Sequence, residues 1–455
     1  MRAKKKAEID TSTYLFDNHA LVALIIPLII EQFLAVLVGM ADSIMIANVG
    51  EAAVSGVSLV DQIMVLLINL FSALATGGAV VAGQYLGQGN RQKARKSTTQ
   101  LIWFMGIMAV AITVLVYVGK YWILHGLFGK IDADVMGYAN VYLVIVTASI
   151  PFIAVYNAGA AIFRTMGNSK LPMKVSVLMN IINVIGNGIL IFGFHRGAEG
   201  VAIPTLVSRI VGAVVIIAYL LNQKEELCLE RSLRFRPEWG MLGKILSIGI
   251  PNGLENSMFQ LGKVIVLSLV SGFGTYAIAA NAVANTISLF SILPGMAINF
   301  GITSVIARCV GYGDYEQVKY YNKKLLLIVH AGIGIAVAIV FTVLPFVLKI
   351  YNLSEAASEA ARHILWFHGI CAFLIWPESF ALPSTFRACG DARICMIIST
   401  FSMWVFRVGF SYILARNCGM GVFGVWVALS IDWVFRVIFF GIRYFQGGWK
   451  KAAIV

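Results

Sequence analysis

Charge is what this sequence has least of. Lysine, arginine, aspartate and glutamate make up only 13% of its 455 residues, against roughly 25% in an ordinary soluble domain. So little charge cannot cover a water-exposed surface, and a soluble fold is excluded. A disordered chain is excluded by the 59% hydrophobic content. A transmembrane β-barrel is excluded because the short alternating segments of lumen-facing strands are missing. None of the six cysteines (Cys228, Cys309, Cys371, Cys389, Cys395, Cys418) belongs to a CxxC pair, and most fall in or beside apolar runs. Neither a disulfide framework nor a zinc site is expected. The histidines are scattered, His363 and His368 being the nearest pair, with no further ligand at helical spacing. HExxH and GxSxG are both absent, and Gly186-Asn187-Gly188 lies inside an apolar run rather than after a strand. An intramembrane enzyme is therefore an alternative without a motif.

What the sequence has instead is uncharged length. Runs at 101–119, 135–163, 175–194, 264–307 and 325–348 each suffice to cross a hydrocarbon core, which takes about 20 apolar residues. The run 264–307 is expected to cross twice, because Ser271, Gly272 and Gly274 interrupt it with turn residues. With the shorter and charge-bearing runs this predicts an all-α polytopic membrane protein with twelve spans, near 20–46, 53–84, 99–119, 135–160, 172–194, 200–222, 242–270, 277–306, 325–348, 360–385, 394–415 and 421–445. Arg2, Lys4, Lys5 and Lys6 precede a first apolar stretch that continues as a full span, so no cleavable signal peptide is expected. With both termini inside, the inner segments hold 25 of the 35 lysines and arginines, as the positive-inside rule requires. The net charge of +13 then belongs to a cytoplasmic rim with some attraction to anionic lipid, and no nucleic-acid partner is needed to explain it.

The chain repeats itself. QYLGQGNRQKARK at 84–96 is echoed by RCVGYGDYEQVKY at 308–320, and the pairs Gly87/Gly311 and Gly89/Gly313 share one sequence offset. Ile26-Pro27 and Glu31 recur at that same offset as Ile250-Pro251 and Glu255, and Phe163-Arg164 recurs, one position short of it, as Phe386-Arg387. An even number of spans per half gives both halves one orientation, the parallel repeat found in secondary transporters. The expected organisation is an N-lobe at 1–222, a cytoplasmic linker at 223–241 and a C-lobe at 242–455, with the substrate path between the lobes.

Six acids lie within spans: Glu31, Asp42, Asp61, Glu255, Glu378 and Asp432. Intramembrane charge is costly and therefore points to function. In the N-terminal half one base, Arg209, opposes the acids, whereas Lys263, Arg407 and Arg436 stand among those of the C-terminal half. The C-half charges are expected to neutralise one another, and Arg407, Asp432 and Arg436 to form an Arg–Asp–Arg network. The N-half keeps an acid surplus, which takes up either a proton or a small cation. Asp42 fits that role, near the outer end of the first span. Asn180, Asn183 and Asn187 on the fifth span and Thr205 on the sixth offer neutral oxygens suited to a hard cation or a protonated acid; the bland alternative is helix–helix hydrogen bonding. Pro27 frees a carbonyl and makes the first span bendable. Glu31 and Glu255, at matching positions, are expected to share a structural duty such as a bond to a neighbouring helix.

Taken together, IPLIIEQFLAVLVGMADSIMIANVG at 26–50, QYLGQGNRQKARK, FRTMGNSKLP with its echo FRACGDARIC, and NVIGNGILIFG at 183–193 resemble the multidrug and toxic compound extrusion (MATE) family over essentially the whole chain. The resemblance implies two six-helix lobes around a V-shaped cavity, alternating access, and export of amphipathic, often cationic compounds in exchange for H⁺ or Na⁺, without a cofactor. It places Asp42 on the family's first-span aspartate, Pro27 on the proline at which some members bend, and Asn183, Asn187 and Thr205 on a polar cluster around that aspartate. Asn187 departs from relatives that carry a carboxylate there. Phe259 and about Trp376 stand where some members place C-lobe coupling carboxylates, with the acids Glu255 and Glu378 nearby but displaced. Phe259, Met296, Phe300 and Trp376 are expected to line a drug cavity, where aromatic and methionine side chains give cation–π and adaptable apolar contacts. A monomer in the cell membrane is expected. A lipid-linked saccharide flippase of the same superfamily is the alternative transporter.

Overall fold

A computed structural model describes residues 14–455 except 128, 130, 223, 231–235 and 352. The described residues form long helices joined by short turns. In the first half these are α1 (Asn18–Ala47), α2 (Glu51–Gly87), α3 (Arg91–Val118), the pair α4 (Ala133–Thr147) and α5 (Ile150–Thr165), α6 (Lys170–Gly193) and α7 (Glu199–Leu220). The second half holds α8 (Trp239–Ser271), α9 (Thr275–Tyr312), α10 (Tyr315–Ile350), α11 (Glu355–Ala388), α12 (Ala392–Asn417) and α13 (Gly421–Gln446). Ten of these are individually long and apolar enough to span a membrane, and α4 with α5 supplies another span bent by 48°. The bend falls at Pro151 within the run 135–160, where proline cannot donate to the preceding turn. The twelfth span is α8, whose 33 residues are long enough to cross but carry Lys244, Glu255 and Lys263. The double crossing of 264–307 is observed, with α8 ending at Ser271 and α9 beginning at Thr275.

Helix starts follow local chemistry. Asp17 caps α1 by accepting from the Ala20 amide at 2.7 Å, Asn90 caps α3 and Asp314 caps α10, each satisfying an amide with no partner inside the helix. Large apolar side chains turn outward: Val110, Val114 and Leu115 on α3 and Ile335, Ile339 and Phe346 on α10 are more than half exposed. Lipid is the solvent that accepts such a surface.

The repeated glycines have two distinct duties. Gly89 and Gly313 close their helices at φ of 75° and 83°, in the left-handed region that side chains disfavour. Gly87 and Gly311 sit where the two halves cross: a Cβ on Gly87 would lie 2.1 Å from the Arg308 carbonyl oxygen, and one on Gly311 would lie 1.9 Å from that of Gln84. Polar contacts surround this crossing. Gln84 donates to the Ala388 carbonyl at 2.8 Å, Lys244 to the Tyr85 hydroxyl at 3.0 Å, and the Phe16 amide to the Tyr321 hydroxyl at 2.9 Å. All hydrogen bonds between the halves among the described residues lie at this end, which also carries the basic loops. The lobes are thus sealed at one end. Nearer the other, a cleft of about 760 Å³ lies between α1 and α9, bordered by Val36, Met40, Asn285 and Leu289.

Candidate functional site: an acidic cluster in one lobe and a cationic cavity in the other

The N-lobe cluster depends on how α6 meets α7. Gly186 lies against Pro204, where a Cβ would come within 2.7 Å of the proline ring. This close approach brings Asn183 Nδ2 to the Thr205 hydroxyl at 3.0 Å. One turn along α6, Asn187 Nδ2 donates to Asp42 Oδ1 at 2.6 Å and to Asn183 Oδ1 at 3.4 Å. Asn187 is fully buried, and its own Oδ1 has no hydrogen-bond partner among the described residues. Asp42 and Thr205 border a cavity of about 120 Å³ shared with Gly39, Asp61 and Tyr142, and the Tyr142 hydroxyl donates to Asp61 at 2.8 Å. The nearby base, Arg209, donates instead to the Ser149 hydroxyl at 2.7 Å. Asp42, Asn183, Asn187 and Thr205, chosen on spacing and resemblance, are therefore brought together. Asn180 is not: its Nδ2 is buried without a partner, outside the cluster. Pro27 is buried inside α1, which runs unbroken through it.

Glu31 and Glu255 do share a duty. Arg164 Nη2 meets Glu31 at 2.7 Å, and Arg387 Nη2 meets both oxygens of Glu255 at 2.8 Å. These arginines follow the repeated Phe163 and Phe386 and read from sequence as inner-loop bases, so the sequence alone misses them as partners of the acids. Breaking such a buried pair leaves an uncompensated charge, at a cost of about 3–5 kcal/mol. Arg387→Ala should lower the thermal unfolding temperature strongly, and adding Glu255→Gln should recover part of the loss, as read by a thermal melt of the purified protein. A melt unmoved by Arg387→Ala would refute the structural role of the pair.

The C-lobe holds a cavity of about 390 Å³. Gly295 seats the Trp376 ring, since a Cβ there would lie 2.2 Å from it. Trp376 stacks on Phe380 with ring centres 5.3 Å apart. Phe259, Met296 and Trp376 line this cavity as expected, but Phe300 does not. Its ring instead lies under the Arg164 guanidinium at 4.6 Å, pulled across the lobe interface by a cation–π contact. The expected neutralisation of the C-half charges is only partial. Glu255 is held by Arg387, and Asp432 pairs with Arg436 at 3.0 Å. Arg407 makes no hydrogen bond to Asp432 and lies over the Phe259 ring at 5.0 Å, with Lys263 over the same ring at 4.9 Å. The Arg–Asp–Arg network is thus an Arg436–Asp432 ion pair, with Arg407 close enough to feel the Asp432 charge but not bonded to it. Glu378 faces His330 at 3.6 Å, outside the cavity lining.

Comparison with known proteins agrees with this fold. The profile of the MatE family matches the chain twice, at residues 27–189 and 251–413, so this chain belongs to the MatE family of multi-pass membrane transporters. The second match begins at Pro251 as the first does at Pro27, which is the offset of the glycine and proline repeats. Among relatives, the "Probable multidrug resistance protein NorM" of Thermotoga maritima is 26% identical over 96% of this chain and 94% of its own length. The "Uncharacterized transporter YisQ" of Bacillus subtilis is 28% identical, covering 93% of each chain. A solved structure described as the outward-facing conformation of a multidrug resistance MATE family transporter superposes with a TM-score of 0.88 at 22% identity, over 95% of this chain and 96% of that one.

Proposed function

We infer that this protein is a secondary active exporter, moving amphipathic small molecules out of the cell in exchange for H⁺ or Na⁺ by alternating access of its two lobes, with both termini cytoplasmic. The observation that carries this reading is the contact of Asp42 with Asn187 at 2.6 Å beside a cavity of about 120 Å³. A carboxylate there has neutral oxygens for neighbours, from Asn183, Thr205 and the unpartnered Asn187 Oδ1. That set can complete the coordination of a small hard cation, and its amides and hydroxyl can hydrogen-bond a protonated acid.

Coupling requires Asp42 to hold its ion with different affinity in the two states, because equal binding shifts no equilibrium. α1 carries both Asp42 and Pro27, so a change of bend at the proline, whose ring leaves the carbonyl of residue 23 without its helical partner, repacks the cluster and moves the α1 wall of the cleft. The seal at the basic end, which the positive-inside rule makes cytoplasmic, suits a resting state from which cargo leaves outward. The test is export of rhodamine 6G, an amphipathic cation, and of pyrenebutyrate, an amphipathic anion, from proteoliposomes under an imposed H⁺ gradient and then an imposed Na⁺ gradient. Export accelerated by one gradient names the coupling ion; no acceleration of either dye by either gradient overturns the reading.

A further inference from the structure

The two lobes carry sites of opposite sign at matching positions. The common offset that relates Pro27 to Pro251 also pairs Gly39 with Lys263, Asp42 with Val266 and Asp61 with Asn285. In the N-lobe, Gly39, Asp42 and Asp61 border the small cavity and Asn183 supports it. Lys263, Asn285 and Arg407 line the large cavity of the C-lobe. Each exchange runs the same way: two carboxylates become an apolar and a neutral side chain and a glycine becomes a cation, while Arg407 adds a second cation to the C-lobe cavity.

These two cations are also the ones left over. The other basic residues of the cavity are spoken for, Arg387 by Glu255 and Arg436 by Asp432. Lys263 and Arg407 make no ion pair among the described residues, and their shared contact is the Phe259 face. Arg407 is only 8% exposed, and its buried Nε has no hydrogen-bond partner among the described residues. An unpaired guanidinium at membrane depth is costly, and a ring face offsets only part of that cost. Its planar fork of donors matches a carboxylate or another oxyanion.

We propose that the C-lobe cavity binds an anionic amphiphile, its carboxylate, sulfonate or phosphate held by Arg407 and Lys263 and its flat apolar body laid against Trp376, Phe380 and Met296. A volume of about 390 Å³ is that of a small-molecule pocket. The inference rests on the reading of the chain as an exporter and names a cargo class for its second lobe.

Binding is to be measured on the full-length protein in neutral detergent by energy transfer from tryptophan to pyrene. The two probes are pyrenebutyrate and a trimethylammonium analogue with the same pyrenyl-butyl body. The parent should bind the anion at least tenfold more tightly than the cation. Lys263→Gln, a change at an exposed side chain, should weaken the anion about tenfold while leaving the cation unchanged or tighter, and Arg407→Lys should keep more anion affinity than Arg407→Gln. A parent that prefers the cation, or a Lys263→Gln protein weakened equally for both probes, overturns the proposal. Asp42→Asn should leave the preference intact. Failure here with gradient-driven export preserved would therefore overturn the anion site alone, whereas failure of coupling with the preference preserved would overturn the exporter reading alone.

Discussion

Asp42→Asn is expected to reduce gradient-driven export to the rate seen without a gradient, a loss of at least tenfold, while the protein still folds and still binds its cargo. Asparagine nearly matches aspartate in shape, so α1 keeps its packing. The substitution removes the negative charge that a proton or Na⁺ neutralises and places an amide opposite Asn187 Nδ2, where Asp42 Oδ1 now accepts at 2.6 Å. The second carboxylate of the same cavity, Asp61, is already engaged by the Tyr142 hydroxyl at 2.8 Å and does not take over the role. A melt within a few degrees of the parent, together with unchanged probe binding, separates lost coupling from lost fold. Export unaffected by Asp42→Asn would remove the N-lobe cluster from the mechanism and direct attention to Glu378 and His330, which face each other at 3.6 Å.

Gly311→Ala is expected to act on the equilibrium between states rather than on the ion. Its new Cβ would lie 1.9 Å from the Gln84 carbonyl oxygen, and that neighbour is backbone, which cannot swing aside as a side chain can. The overlap exists only while the basic ends of α2 and α9 are pressed together, so the penalty falls on the sealed state. An overpacking cost of about 2 kcal/mol corresponds to roughly a thirtyfold shift in population. Spin labels at the exposed Gln88 and Tyr312, on a background with Cys371 and Cys418 changed to serine, should report a longer separation in the variant. A distance distribution identical to the parent's would show that the glycine crossing does not hold this end shut.

The repeat was the most legible feature of the sequence, and the structure explains why. Gly87/Gly311 and Gly89/Gly313 answer to backbone approach and to a left-handed turn, two demands that only glycine meets at low cost. The N-lobe cluster was legible because Asn183 and Asn187 stand one turn apart on one face of a mostly apolar span, although spacing alone did not separate them from Asn180, which lies outside it. Helix bends were less legible, since Pro151 looks from sequence like the unbroken-helix proline Pro27. Charge pairing was misread in one specific way. Arg164 and Arg387 follow their helices' apolar runs and look like loop residues, yet each folds back onto the glutamate of the first helix of its lobe. With Arg387 committed to Glu255 and Arg436 to Asp432, Arg407 has no ion pair of its own among the described residues, a result that no count of charges in the C-half reveals. The same offset that exposed the glycines also aligns Gly39 with Lys263, but the meaning of that pair depends on which side chains face a cavity.

The exchange itself is tested most directly by running it backwards. Proteoliposomes holding a pH- or Na⁺-sensitive dye are given rhodamine 6G or pyrenebutyrate outside with no ion gradient imposed, and ion movement is recorded for the parent and for Asp42→Asn. Cargo entering parent vesicles should drive H⁺ or Na⁺ the other way, and the flux should disappear in the variant. Cargo entry without any ion flux in the parent, or equal flux in both proteins, would contradict coupling through Asp42.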